Sequence, residues 1–198
     1  LDATNNWSLL LTNKNEVEGL PIRALRILSE AANNSDEMNS STAESGPWKL
    51  SLDMPSFISF MTYGSNRSLR ETLYKAQVSR ASSGPIDNNK LIEEILLLRA
   101  EQADMLGYQN WLELSLSSKM AGGKAEVESL LEELRSAAFI SAKKELKELE
   151  LCAKKNGSTE WSKLEPWDIP FWSEKLRQEK FNLNQEELRP WFPLEQVL

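Results

Sequence analysis

Histidine is absent from this sequence of 198 residues, and its absence excludes several kinds of active site. A neutral imidazole is the commonest general base near neutral pH and the commonest metal ligand in proteins. The chain therefore cannot build a His-dependent triad, an HExxH zinc site or a Cys–His dyad from its own residues. Cys152 is the single cysteine, so an intramolecular disulfide and a thiolate metal cluster are excluded as well.

Long apolar runs are also missing from the sequence. No stretch approaches the roughly 20 apolar residues that a membrane-spanning helix needs, and no signal-peptide or transit pattern opens it. The formal net charge is −7 and the sequence pI is about 4.9, which is the wrong sign for a surface that binds phosphates. We therefore expect neither a membrane nor a nucleic acid among the partners of this protein. Because the sequence begins at Leu1 without a methionine and ends without a polar tail, we expect both ends to be cut from a longer chain.

Helical periodicity dominates the residues that are present. Seven tryptophans and a hydrophobic content of 40% suffice for the core of one domain or two small lobes. The clearest pattern covers residues 88–107, where Leu91, Ile95 and Leu98 fall close to one helix face. A helix capped by Asn66 is predicted to carry Leu69 and Leu73. Further helices are predicted over residues 1–12, 22–32, 55–63, 111–116, 124–156, 166–180 and 185–188.

One segment alternates with the period of a strand instead. Residues 48–53 place Trp48, Leu50 and Leu52 on one face and polar side chains on the other. A single strand leaves its backbone groups unpaired, so it needs a partner, which is either an unrecognised short strand in this chain or one outside it. The sequence thus predicts an all-α class, mainly helical with about nine helices, and one short β-strand near residues 48–53.

Two short motifs resemble catalytic signatures, and both are incomplete. The run Met120-Ala121-Gly122-Gly123-Lys124-Ala125 is similar to the end of a phosphate-cradling loop, but Ser118 replaces the first glycine and Ala125 lacks the hydroxyl that holds magnesium. Ser141 and Lys144 match S-x-x-K, in which a lysine activates a serine, without the supporting S-D-N or K-T-G elements. We interpret the glycine pair as a helix break and the second motif as a solvated helix face.

The remaining candidates favour structural interpretations. Adjacent acidic pairs point about 100° apart on a helix, so they do not converge on one substrate; these pairs are Glu93-Glu94, Glu132-Glu133 and Glu186-Glu187. Cys152 lies on an apolar stripe with Leu149 and is predicted to be packed. The aromatic run at residues 167–172 suits either a peptide or sugar groove or a core, and core packing is the commoner role.

Eight sequence segments, in this order along the chain, resemble the thimet oligopeptidase/oligopeptidase A family of zinc metallopeptidases. The resemblance is to its plant organellar and cytosolic members above all. These segments run along essentially the whole chain, and as a set they are specific. They are Gly46-Pro47-Trp48-Lys49-Leu50-Ser51-Leu52-Asp53-Met54-Pro55-Ser56-Phe57, Asn66-Arg67-Ser68-Leu69-Arg70-Glu71-Thr72-Leu73-Tyr74, Ser79-Arg80-Ala81-Ser82, Leu98-Arg99-Ala100-Glu101, Leu106-Gly107-Tyr108-Gln109-Asn110-Trp111, Ser118-Lys119-Met120-Ala121, Pro166-Trp167-Asp168-Ile169-Pro170-Phe171-Trp172 and Glu187-Leu188-Arg189-Pro190-Trp191-Phe192-Pro193-Leu194.

The resemblance implies that this chain has a non-catalytic role in a zinc peptidase. Family members are much longer, and their HExxH helix with a further glutamate lies C-terminal to the part represented here, so no catalytic, cofactor-binding or metal-binding residue carries over to any position. The resemblance implies that residues 1–198 form a single helical fragment, a scaffold and part of the wall of a channel that admits short peptides. It also implies that the strand near residues 48–53 pairs with structure absent from this chain.

Two functional hypotheses remain open from the sequence. The first is a truncated piece or shortened paralogue of a zinc oligopeptidase, inactive alone, with zinc bound only in the full-length family. The second is a non-catalytic helical interaction module that binds peptides or a partner protein. Under either hypothesis, the expected partners of this chain are short peptides, the missing C-terminal catalytic segment or a second copy of the chain. The resemblance implies an intracellular protein, cytosolic or in the chloroplast or mitochondrion.

Overall fold

Helices dominate the computed structural model, which describes residues 2–34, 40–157, 163–182 and 191–192. The described part contains eight α-helices and two β-strands, so the mainly helical class is confirmed. The helices are α1 (Asp2–Asn5), α2 (Ile22–Asn33), α3 (Met54–Tyr63), α4 (Arg67–Ser79), α5 (Asn89–Met105), α6 (Trp111–Leu116), α7 (Lys124–Asn156) and α8 (Ile169–Phe181). The strands are β1 (Ser8–Leu11) and β2 (Trp48–Ser51). The helix predicted at residues 185–188 lies outside the described residues.

The predicted strand exists, and its partner is in this chain. β2 pairs antiparallel with β1, with Leu9 opposite Leu50 and Leu11 opposite Trp48. The helix predicted over residues 1–12 is therefore wrong beyond α1, and the expectation that the partner lies outside the chain is wrong as well. Leu11 is buried and Leu10 is exposed, which is the two-residue period of a strand with one covered face.

The chain folds as two compact units. Unit 1 consists of Leu1–Val78 and Glu148–Leu198, and unit 2 consists of Ser79–Lys147. The prediction of a single helical fragment over residues 1–198 stays a prediction. Among the described residues, no helix combines the length and the apolar character that crossing a bilayer requires.

Unit 1 has two apolar cores. In the first, α2 and α3 cover the face of β2, where Trp48, Leu50 and Leu52 are all buried. Asp53 begins α3 by accepting a hydrogen bond from the backbone N–H of Ser56 at 3.1 Å, which satisfies a donor that the first helical turn leaves unpaired. The full set of buried residues in this core is Leu11, Val17, Leu20, Ala24, Leu28, Trp48, Leu50, Leu52, Phe60, Met61 and Leu73.

The second core of unit 1 joins the last turns of α7 to α8. It contains Leu149, Cys152, Ala153, Leu164, Phe171 and Trp172. Two ion pairs link the same helices at the surface: Lys180 pairs with Glu148 at 2.5 Å, and Lys155 pairs with Glu179. Exposed pairs of this kind contribute little each, so apolar burial is the main force that holds the end of α7 to α8.

Unit 2 is almost without a core. Residues 79–147 are all described, and Ala103 is the single buried residue among them. Gly107 lies two residues after the end of α5, and its φ of +76° is a conformation that glycine adopts without strain. Asn110 then caps α6 by accepting from the backbone N–H of Glu113 at 3.1 Å. The Arg99 guanidinium lies 5.3 Å from the centre of the Trp111 ring and connects α5 with α6.

Candidate functional site

The most strongly buried charges of unit 1 form one cluster between α4 and α8. The Asp168 carboxylate is fully buried and accepts from Arg67 Nη2 at 2.8 Å and from Arg70 Nη2 at 3.1 Å. Arg67 and Arg70 lie three residues apart on α4, which places both side chains on one helix face. Asp168 also accepts from the backbone N–H of Glu165 at 3.0 Å. The cluster therefore links two elements that are about 100 residues apart in sequence.

The two arginines of this cluster differ in their surroundings. Arg70 is 2% exposed and also donates to the carbonyl oxygens of Trp167 at 3.1 Å and Gly64 at 2.7 Å. Burial lowers the pKa of Arg70, and the hydrogen bond to Asp168 opposes that change. Arg67 is 42% exposed, and its hydrogen bond to Asp168 raises its pKa. A guanidinium stays charged at every physiological pH, so the cluster holds two positive charges around one negative charge.

This arrangement suits a structural role. Asp168 accepts five hydrogen bonds and has no solvent-exposed surface. A general acid or base must come within hydrogen-bond reach of the proton that it transfers. A carboxylate closed off in this way does not meet that condition, so the cluster acts as a lock between α4 and α8.

A surface cleft of about 530 Å³ lies elsewhere in unit 1, between α2 and α3. Its volume is in the range that small ligands occupy. At one side stands Glu174 of α8, whose carboxylate is already held by Arg177 at 2.7 Å and Gln178 at 2.6 Å. The lining residues are Pro21, Arg23, Ala24, Ile27, Met54, Pro55, Ile58, Ser59, Thr62, Tyr63 and Glu174. The cleft thus combines apolar walls with a few polar groups.

The residues that the structure describes do not fit a zinc ion. No group of three or more Cys, Asp or Glu side chains comes together in the described residues, and histidine is absent from the sequence. Catalytic zinc sites take three protein ligands, in which imidazole predominates. The described residues therefore show no ligand set of this kind.

The two incomplete motifs lie on the surface of unit 2. Ser141 and Lys144 are exposed on α7. The backbone N–H of Gly122 donates to the carboxylate of Glu126 at 2.7 Å, so an acidic side chain lies where a phosphate would bind. The glycine pair immediately precedes α7, in agreement with its interpretation as a helix break.

The acidic pairs are surface features where the structure describes them. Glu93 and Glu94 are exposed on α5. Glu132 hydrogen-bonds Arg135, and this bond lowers the pKa of the Glu132 carboxyl. The pair Glu186-Glu187 lies outside the described residues.

Cys152 and the aromatic run are packed in unit 1. Burial raises the pKa of the Cys152 thiol, which disfavours the thiolate form that acts as a nucleophile. The Phe171 and Trp172 rings lie edge to face with centroids 5.1 Å apart, and both side chains are buried. Trp167 is half-buried, with its ring centre 5.9 Å from that of Tyr74. These aromatics build a core and not an open groove.

Sequence reasoning did not single out the Arg67–Asp168–Arg70 lock. Its only local signal is a pair of arginines at i and i+3 on a predicted helix, together with an aspartate inside an aromatic run. An aspartate inside an aromatic run is rarely buried unless it is paired with a cation. Such an aspartate, together with two arginines three residues apart on a helix, is therefore the sequence signal for this lock.

Comparison with known proteins gives one consistent result. The model of peptidase family M3 matches residues 60–198. The chain is 46% identical, over all of its 198 residues, to the probable cytosolic oligopeptidase A of Arabidopsis thaliana, and it covers 28% of that protein. It is also 46% identical to the organellar oligopeptidase A, chloroplastic/mitochondrial, of the same plant, of which it covers 25%. Its identity to the oligopeptidase A of Haemophilus influenzae is 43%, with 28% of that protein covered. The chain therefore spans about a quarter of the length of these relatives.

Proposed function

The chain belongs to peptidase family M3, and we propose that it supplies scaffold and channel wall to a zinc metallo-oligopeptidase that degrades short peptides. The observation that carries this proposal is the match to oligopeptidases along the whole chain, although the chain covers only 28% of such a relative. Under this proposal the chain has no peptidase activity alone.

The residue types in this chain support a scaffold role and not a catalytic one. A zinc peptidase needs metal ligands, a metal-bound water and a general base such as the glutamate of HExxH. This chain contains no histidine, and its described carboxylates form no metal-binding group. We therefore assign the metal and the general base to a segment C-terminal to the part represented here.

The packing of unit 1 supports a scaffold role. Two apolar cores and the Arg67–Asp168–Arg70 lock fix α4 and α8. Rigid elements of this kind hold an active site in place more accurately than loops do. By analogy with the two plant relatives, whose names place them in the cytosol and in the chloroplast or mitochondrion, we propose one of these compartments for this protein.

Cleavage of a quenched fluorescent peptide tests the proposal. The 198-residue chain is assayed alone with added zinc. It is also assayed inside a chimera, in which it replaces the matched segment of the Arabidopsis cytosolic relative. We expect no turnover by the chain and chelator-sensitive turnover by the chimera. A chimera that folds without cleaving the peptide would contradict the proposal, as would chelator-sensitive turnover by the chain itself.

A matched control covers the one route that needs no metal. If the chain alone cleaves peptide in the presence of chelator, the variant Ser141→Ala decides whether the Ser141/Lys144 pair is responsible. We expect the wild-type chain and this variant to be equally inactive, because both side chains are solvent-exposed and the motif lacks the supporting S-D-N and K-T-G elements.

The lack of histidine also favours a second candidate function, a non-catalytic interaction module that binds peptides or a partner protein. A downstream HExxH segment in the parent gene would favour the first function. A gene that ends without this segment would favour the second.

A further inference from the structure

Many apolar residues of α5 and α7 in unit 2 are exposed to solvent, although their helical spacing is typical of a buried face. Leu130, Leu131 and Leu134 on α7 are 57–59% exposed. On α5, Leu91 and Leu98 are 56% and 55% exposed. Soluble proteins rarely leave contiguous apolar surface of more than a few hundred Å² uncovered unless the surface binds something.

Each of these helices has a stripe of largely exposed apolar residues, and α5 also exposes apolar residues outside its stripe, such as Leu97 at 72%. On α7 the stripe consists of the half-buried Val127 and the exposed Leu130, Leu131, Leu134 and Ala138, at the spacing of one helix face. On α5 it consists of Leu91, Ile95, Leu98 and Met105. We call these two stripes the unit 2 apolar surface.

We propose that the unit 2 apolar surface docks the remainder of an M3 peptidase chain, the part that contains the zinc segment. This inference rests on the proposed function. It adds the place where the scaffold and the catalytic part meet.

The chemistry of the surface favours a folded partner over a short peptide. A peptide site needs polar groups for the termini and the backbone of its ligand. The stripe on α7 contains no polar side chain, and the charges of this helix, such as those of Glu128, Glu132 and Arg135, lie on other faces. Such a stripe is suited to another apolar helix face.

The length of the relatives decides between the remainder and a second copy. The Arabidopsis and Haemophilus proteins match every part of this chain, including unit 2, yet the chain covers only 28% of either one. Each relative therefore contains a much larger remainder in the same polypeptide, at high effective concentration. A second copy of this chain would have to associate from solution.

The test uses two matched double variants on α7. L130K/L134K places two lysines on the stripe, and S129K/S136K places two lysines on the opposite face of the same helix. All four positions are exposed in the chain, so neither pair of substitutions should change the melting temperature or the circular dichroism of the chain alone. In the chimera with the Arabidopsis cytosolic relative, L130K/L134K should lower the melting temperature by several degrees, and S129K/S136K should leave it unchanged.

Three results would overturn the docking proposal. In the first, the two double variants have the same effect on the chimera. In the second, L130K/L134K lowers the melting temperature of the isolated chain as much as that of the chimera. In the third, sedimentation shows that the wild-type chain forms a dimer that L130K/L134K dissociates, which identifies a second copy as the occupant.

The same samples separate this proposal from the proposed function. A folded chimera that is destabilised only by L130K/L134K but cleaves no peptide supports docking and contradicts the peptidase role. A chimera that cleaves peptide and is insensitive to L130K/L134K contradicts docking and leaves the peptidase role in place.

Discussion

Replacing Asp168 by asparagine removes the single negative charge of the lock between α4 and α8. Asparagine has nearly the same shape, so packing changes little while the charge disappears. The variant leaves the Arg70 guanidinium, which is 2% exposed, without its ionic partner. Leaving one member of a buried ion pair uncompensated costs about 3–5 kcal/mol. We expect the free energy of unfolding of unit 1 to fall by an amount in this range.

Most of that loss should come from Arg70 and little from Arg67. Arg67 is 42% exposed, so water solvates it when Asp168 is removed, and its share is about 1 kcal/mol or less. Arg70 has no such access to water, and its remaining hydrogen-bond partners are the carbonyl oxygens of Trp167, Gly64 and Ser65. The double variant Asp168→Asn/Arg70→Met should therefore be less destabilised than the sum of its two single variants.

Urea unfolding followed by tryptophan fluorescence measures the effect, because Trp167 lies beside the lock: its carbonyl oxygen accepts from Arg70, and its ring centre is 5.8 Å from the Arg67 guanidinium. The matched control is Glu71→Gln, which breaks the exposed pair between Lys75 and Glu71 on α4. Its cost should stay within about 0.5 kcal/mol. Equal unfolding midpoints for Asp168→Asn and Glu71→Gln would refute the conclusion that Asp168 is the centre of a buried lock.

Two more predictions concern Cys152 and the turn before α2. Burial raises the pKa of the Cys152 thiol, so alkylation of this thiol should be much slower in the folded chain than in urea. The free energy of unfolding should fall as the pH rises above about 8, because the thiol of the unfolded chain ionises first. A Cys152→Ala variant that keeps the same pH dependence would contradict this. Gly19→Ala should cost about 2 kcal/mol or more, since φ is +86° and the new Cβ would meet Ser65 Oγ at 2.6 Å and the Tyr63 carbonyl oxygen. Gly84→Ala, at φ +75° with no atom within 4 Å, should cost less in the same urea titration, and an equal cost would exclude the steric contribution.

The long helices were predictable because their signals are local. The sequence predicts a helix over residues 88–107, and α5 is Asn89–Met105. It predicts another over residues 124–156, and α7 is Lys124–Asn156. Glycines flank both helices, and the spacing of apolar residues needs no information from distant parts of the chain.

β1 and the lock were not predictable from local sequence. The three leucines at residues 9–11 fit a helix as well as a strand, and only pairing with β2, about 40 residues further on, selects the strand. Asp168 and Arg70 are 98 residues apart in sequence. No local pattern indicates that these two side chains meet, because their attraction depends on a burial that the whole of unit 1 creates.

The sequence pattern and the burial agree at one end of α7 and disagree at the other. The same apolar periodicity runs along this helix, yet Leu149 and Cys152 are buried whereas Leu130 and Leu134 are more than half exposed. A helical stripe of this kind is typical of a face that packs against other structure, and helices obtain most of their stability from such packing. Where the stripe is buried, this chain supplies the neighbour itself, through Phe171 and Trp172 of α8. Where it is exposed, the neighbour that we propose is the remainder of an M3 peptidase chain, because this chain covers only 28% of its cytosolic Arabidopsis relative.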